Sequence, residues 1–306
     1  MHPECWPISV PQEDAYYPVK NGGAPTSYCL PFTRSLPGQQ NLGPREQLNQ
    51  NSAFIDASQI YGENPCKAND LRVPGGKLNV TLHPRGMKPF PPQINFLREC
   101  RSPSGHCFYA GDPRASEHPG LAAMHTIFLR QHNYWAEELQ RVNPTWSDEK
   151  LYQETRRILT AVNQHMVYNE LVPAILGPTM VNAYELGLQS EGYYSNYDPS
   201  CSAGAYNEFS TAAFRFGHSM VRPYLSRMDH KYKGMNPHVQ LRDGFFNSDM
   251  MYDGLMVDEL MRGLLSEPIE EVDPFVTNEI SNHLFEDKKK PFSGLDLISL
   301  NLNRGR

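Results

Sequence analysis

From Leu121 onward the apolar residues of this chain recur at helical spacing, and that periodicity constrains its fold more than any other feature. Leu121, Met124, Phe128, Trp135 and Leu139 lie three, four or seven positions apart, which gathers them on one side of a helix. The run breaks at Asn143-Pro144. A second helix is expected to open on Ser147 as N-cap, with Asp148 and Glu149 in its first turn, where carboxylates meet the positive end of the helix dipole. Leu151, Ile158, Leu159, Val162 and Met166 give it an apolar stripe, and Leu176-Gly177-Pro178 supplies a stop. A third helical run is expected over 207–221, with Phe209, Ala212, Ala213, Phe216 and Met220 on one side. Residues 254–265 and 274–285 read as two more helices, the second capped by Asp273 with Pro274 at its first position. Convincing alternating strands are few, so the fold class is mainly α. The first 50 residues differ, being dense in Pro, Gly, Asn and Gln without a period. They predict a loop-rich surface segment tied down by Cys5 and Cys29.

Composition narrows the function classes. With 39% hydrophobic and 20% charged residues the chain has the make-up of a packed domain, and its net charge of -6 suggests neither nucleic acid nor a polybasic membrane contact. No stretch approaches the roughly 18 apolar residues of a membrane span. There is no internal repeat, low-complexity tract or long Ser/Gly linker, so residues 1–306 read as one domain or part of one. A Gly-x-Ser-x-Gly elbow, a phosphate loop and a His-Glu-x-x-His helix are all missing from the sequence.

Cysteine spacing points to a compartment. Cys100 and Cys107 flank a turn-forming Arg-Ser-Pro-Ser-Gly-His stretch that can bring the sulfurs together as a local disulfide. Zinc is the competing reading, but no Cys-x-x-Cys or finger-spaced His pair accompanies them. Asn79-Val80-Thr81 is a glycosylation acceptor, and together the two features favour a secreted or luminal protein.

His118, His125 and His132 share a helix face, yet a seven-residue step separates neighbours by roughly 10 Å along the axis, too far to share one ion. Two constellations are more specific. Gly111-Asp112-Pro113-Arg114-Ala115-Ser116-Glu117 sets an arginine and a carboxylate at a helix N-terminus, which alone reads as a capping turn with a surface ion pair. Ala213-Phe214-Arg215-Phe216-Gly217-His218-Ser219 sets a histidine late in an apolar helix, with Gly217 leaving room for a large flat group. Alone, it reads as a satisfied core histidine.

Together, and in this order, FIDASQIYG at 54–62, AGDPRASEHP at 110–119, LAAMHTIFLRQHNYWAEEL at 121–139, LYQETRRIL at 151–159, AFRFGHSMV at 213–221 and DLISLNLNRGR at 296–306 resemble the animal haem peroxidase family, the myeloperoxidase, peroxidasin and peroxinectin group. The resemblance implies a peroxidase-like helical domain holding haem b, in which His218 is the axial ligand of the iron and Asn301 accepts its other ring N–H. Arg114 matches the distal arginine that polarises bound peroxide, and Glu117 the glutamate that esterifies a haem methyl. Arg215 and Arg304 match positions near the haem and its propionates. His118 stands where myeloperoxidase has a methionine linked to the haem, so that third link is not expected. Ser52, Phe54, Asp56 and Ser58 align with the family's Ca²⁺ loop, offering two hydroxyls, a carbonyl and a carboxylate, with Ser52 in place of the usual threonine.

The implied activity is reduction of hydrogen peroxide with oxidation of a halide or a phenol; the alternative is a non-catalytic relative serving adhesion or matrix binding. The resemblance also leads us to expect the central part of a domain cut at both ends, without the block that carries the distal histidine, the second ester aspartate and a calcium aspartate. His2 is not expected to replace that histidine. By the family pattern Cys5 and Cys29 pair with cysteines upstream of residue 1, which leaves them unpaired here or joins them to each other. Cys66 and Cys201 are expected to bridge one another.

Overall fold

The computed structural model describes residues 4–17, 28–39, 41–287, 289–290 and 293–304. Its centre is a 24-residue helix, α1 (Pro119–Val142), packed against α2 (Asp148–Met166). Ser147 caps α2 as expected, its hydroxyl accepting from the Lys150 amide, and Asp148 and Glu149 occupy the first turn. The buried face of α1 is not the expected stripe. It consists of Ala122, Ala123, Thr126, Leu129, His132 and Ala136, while Leu121 and Trp135 are exposed. Small side chains let neighbouring elements approach closely, so the bulkier residues beside them point outward. Of the two polar residues on that face, Thr126 donates to the Ala122 carbonyl at 2.7 Å, and His132 bonds the Tyr61 hydroxyl and the Gly76 carbonyl.

Helix α2 likewise buries Leu151, Tyr152, Thr155 and Leu159 but leaves Val162 and Met166 exposed. It runs through a wide turn, Val167–Leu171, into α3 (Val172–Ala183). Gly177 leaves helical geometry there (φ 72°, ψ 163°), as the Gly-Pro signal predicts, although the helix resumes beyond it. The run expected over 207–221 is broken: Asn207–Thr211 is a short helix, and Ala213–His218 a separate 3₁₀ turn. Phe209 and Phe214 are exposed, so little packing offsets the cost of Gly217 in a helix. The helix expected over 274–285 shrinks to Asn278–Ser281. It is capped by Thr277, because the Asp273 carboxylate instead accepts from the Phe275 amide in a local turn.

Four two-stranded sheets are present among the described residues. The largest joins β1 (Tyr224–Met228) to β2 (Gly234–Gln240), antiparallel with Tyr224 opposite Gln240 and an irregularity between Leu225 and Arg227. It packs on α4 (Met256–Ser266). A Cβ on Gly263 of α4 would lie 1.9 Å from the Ser226 carbonyl oxygen, so only glycine permits this approach. The last described helix is α5 (Leu297–Arg304).

Cys100 and Cys107 form the expected disulfide. Cys66 and Cys201 do not bridge; both are free and exposed. Cys5 and Cys29 are also free, and the N-terminal segment is held instead by backbone pairing, Ile8–Ser9 with Cys29–Leu30 and Cys5 with Thr33.

Candidate active site

The turn at 111–118 is fixed from behind. Gly111 donates to the Ile60 carbonyl and Asp112 to that of Gln59, and a Cβ on Gly111 would sit 2.2 Å from the Ser58 carbonyl oxygen. Asp112 in turn binds Arg114 in a two-point fork, accepting from Nε at 2.9 Å and Nη2 at 2.7 Å. The expected surface ion pair is therefore real, and 58% of the Arg114 side chain is exposed, but its partner Asp112 was not singled out by the sequence. An Asp-x-Arg step within one turn was the available signal. His118 caps α1 by accepting from the Gly120 amide at 2.9 Å.

Opposite this turn, α5 begins where Asp296 accepts from the Ile298 amide. Leu297, Leu300, Asn301 and Arg304 follow at i, i+3, i+4 and i+7, a single face of the helix. That face, the 111–118 turn, His125 and the end of the Ala213–His218 turn enclose a cavity of about 720 Å³, within the range of cofactor sites. Arg114, Glu117, Arg215, His218, Asn301 and Arg304, six residues drawn from three segments of the sequence, all line it. Sequence reasoning missed the apolar lining. Val221, Leu241, Phe245, Ile280, Leu284 and Phe285 come from separate short helices and connections with no shared period.

At one side Nδ1 of His218 lies 2.6 Å from the Asn301 side-chain amide, while Nε2 makes no hydrogen bond among the described residues. The amide's oxygen and nitrogen are interchangeable in this contact. Only the arrangement with Oδ1 accepting from Nδ1–H leaves Nε2 with a free electron pair for a metal. Burial, then the nearby Arg215 charge, holds the His218 ring below its usual pKa, so it is neutral near pH 7. Arg215 and Arg304 have no carboxylate partner within salt-bridge distance among the described residues. Arg215 donates to the Ser210 carbonyl, and Arg304 lies over the Phe32 ring. Burial and the Arg215 charge lower the Arg304 pKa. Two unneutralised guanidinium groups beside an apolar wall are suited to a flat apolar group carrying carboxylates, and a haem with its two propionates fits these residues.

At the other side, burial raises the Glu117 pKa more than the Arg114 charge lowers it. Burial likewise pushes the His125 and His118 rings to about 4, leaving both neutral at pH 7.

Ser52, Phe54, Asp56 and Ser58 lie away from this cavity but next to its supporting turn. The Asp56 carboxylate accepts from the Ser52 hydroxyl at 2.7 Å and the Ser58 amide at 2.9 Å. Burial disfavours its charge, yet these bonds outweigh it and hold its pKa below the ordinary value. One carboxylate and two hydroxyls suit a hard cation and make up only part of a Ca²⁺ shell of six to eight oxygens. Among the described residues no group of three or more His, Cys, Asp or Glu side chains is positioned to hold a metal.

The profile of the family described as Animal haem peroxidase matches residues 1–306. Human eosinophil peroxidase is 37% identical over 99% of this chain, Heme peroxidase 2 of Caenorhabditis elegans 35% over 100%, and human myeloperoxidase 36% over 100%. The chain belongs to the animal haem peroxidase family, and it spans 41–42% of the length of these relatives. Among solved structures, peroxidase A of Dictyostelium discoideum superposes with a TM-score of 0.82 at 29% identity, covering 99% of this chain and 58% of that one. A fatty acid alpha-dioxygenase of Oryza sativa, at 16% identity and TM-score 0.68, covers 99% of this chain and 52% of that one and shares the fold alone.

Proposed function

We propose that this chain carries the axial-ligand side and the arginine of a haem peroxidase centre, which reduces hydrogen peroxide and oxidises a halide or a phenol. The observation that carries the reading is the His218–Asn301 contact at 2.6 Å, in one cavity with two arginines that lack carboxylate partners among the described residues. Bound haem would supply the redox chemistry, accepting two oxidising equivalents from peroxide and returning them to the donor. His218 would hold the iron through Nε2, and Asn301 would fix the ring and raise its basicity by accepting from Nδ1–H. Arg304 and Arg215 would take the propionates.

Arg114 acts on peroxide. Its Nε and Nη2 are held by Asp112, so Nη1 keeps its two N–H groups to stabilise the charge that develops as the O–O bond breaks. Glu117 is the residue for an ester to a haem methyl. Ca²⁺ at Ser52, Phe54, Asp56 and Ser58 would stiffen the loop against which the Gly111 turn packs. The Cys100–Cys107 disulfide and the Asn79 acceptor support a secreted or extracellular location. No described helix is long and apolar enough to cross a membrane.

Haem titration of the full chain tests the proposal. It predicts one haem per chain and peroxide-dependent oxidation of bromide or a phenol faster than by free haem. A chain that takes up no haem, or gains nothing over free haem, contradicts it.

A further inference from the structure

Tyr16 stands outside the cavity, in a cluster that takes no part in the chemistry described so far. Its hydroxyl lies 3.0 Å from Nδ1 of His283 and 3.4 Å from Oε1 of Glu286, and Nδ1 in turn lies 2.5 Å from Oε2 of the same carboxylate. A ring nitrogen and a carboxylate oxygen come that close only around a shared proton, so the two side chains act as one base with a phenol facing it. Several contacts hold the cluster in place. The Asp14 carboxylate accepts from the Tyr16 and Tyr17 amides at 2.9 and 2.8 Å, and the Tyr17 hydroxyl donates to the Gly294 carbonyl at 3.1 Å. The His283 ring meets the Tyr16 ring edge to face, with centroids 5.2 Å apart. The nearby charges of Arg242 and Glu279 are paired with each other.

The cluster backs onto the cavity. Leu284 and Phe285 follow His283 in the chain and line the cavity, so Tyr16 lies one residue behind its wall. Tyr16 is also partly exposed, which joins that wall to the surface. A phenol can lose a single electron, but the radical cation left behind is a strong acid. It forms readily where a base within hydrogen-bond reach takes the proton and keeps it for return. Burial, then the Glu286 charge, pushes the Tyr16 hydroxyl up to about 12, so at rest it has a proton to give. Tyr61 meets a histidine too, His132 at 2.9 Å, but burial holds that ring at about 4 and it would keep a proton poorly. Resting on the peroxidase reading above, we propose that Tyr16 is a redox-active residue, giving one electron to the oxidised haem and its hydroxyl proton to the His283–Glu286 pair. The products are a neutral phenoxyl radical and a protonated pair. An electron from a one-electron reductant at the surface then draws the proton back and restores the phenol. One hydrogen peroxide supplies two oxidising equivalents, and Tyr16 holds one of them where a reductant too large for the cavity can reach it.

The test oxidises the full chain in two ways and locates the radicals with a nitroso spin trap and peptide mass spectrometry. In the haem-free chain the oxidant is photo-excited tris(bipyridine)ruthenium with persulfate at low buffer concentration; in the haem-loaded chain it is hydrogen peroxide. Tyr193, 97% exposed, is the internal reference. The expected adduct falls on Tyr16 ahead of the more accessible Tyr193 in both arms, and it is lost in Tyr16→Phe. Glu286→Gln and His283→Gln lower the Tyr16 yield relative to Tyr193 by about 100-fold, the low end for a lost proton acceptor, while haem uptake stays unchanged. Tyr193 ahead of Tyr16 in the haem-free arm, or a ratio unaltered in both variants of the base, overturns the proposal even where haem-dependent turnover is normal. So does a haem-loaded chain that turns over peroxide without an adduct at Tyr16. A Tyr16 adduct that depends on Glu286 in a chain that takes up no haem supports the redox-active tyrosine and overturns the peroxidase reading instead.

Discussion

Arg304 and Arg215 stand within reach of one cavity with no carboxylate among the described residues to neutralise them, an arrangement that is unfavourable unless an anion joins it. If that anion is a pair of propionates, Arg304→Met should weaken haem binding on the order of tenfold, the value of one charge-assisted hydrogen bond. It should leave the affinity for haem dimethyl ester unchanged. Equal losses for both ligands, measured by absorbance titration, would assign Arg304 to packing. His132 gives a second prediction at this scale. It is fully buried between the Tyr61 hydroxyl and the Gly76 carbonyl, each at 2.9 Å, and burial depresses its pKa to about 4. A base whose pKa falls on folding is protonated more readily in the unfolded chain. Its contribution is therefore complete above the unfolded value near 6.5 and is lost as pH falls toward 4. Between pH 7 and pH 5 this amounts to about 2 kcal/mol. His132→Gln should shrink the difference in urea-unfolding free energy between those pH values by about that amount. An undiminished difference would show that other groups govern the acid side.

Among the elements, the turn at 111–118 depends on the loop behind it through Gly111. Adding a methyl group there drives a Cβ to 2.2 Å from the Ser58 carbonyl, and backbone must move to relieve it. Gly111→Ala should cost about 2 kcal/mol in stability and loosen the Asp112–Arg114 fork, which urea unfolding and the rate of reaction with peroxide would register. An unchanged unfolding midpoint would mean that the loop yields freely. The elements also mark how far the sequence could be read. Ser147, with its acidic first turn, declares α2 locally, and α1 follows from its period. Which face of α1 is buried is not local information: Ala122, Thr126 and Ala136 are chosen by what must come close, and the larger side chains give way. The runs over 207–221 and 274–285 have helical composition but lack the packing that turns composition into helix.

Across the whole molecule, the candidate site was legible only as a combination. Arg114, Glu117, Arg215, His218, Asn301 and Arg304 are separated by up to 190 residues, and nothing in any one segment distinguishes a ligand from a core histidine or a capping turn. Their order along the chain resembled a known family, and the fold then gathers all six around one cavity. The apolar lining was illegible, because the short helices and connections that build it share no period. The central claim is that this cavity holds haem through His218, and the most direct measurement compares haem uptake and the optical spectrum of the full chain with those of His218→Ala and Asn301→Leu. The account predicts that His218→Ala loses the histidine-ligated spectrum, and that Asn301→Leu keeps ligation while lowering ring basicity, seen as a weakened iron–histidine stretch. Full haem retention with an unaltered spectrum in a folded His218→Ala chain would contradict it.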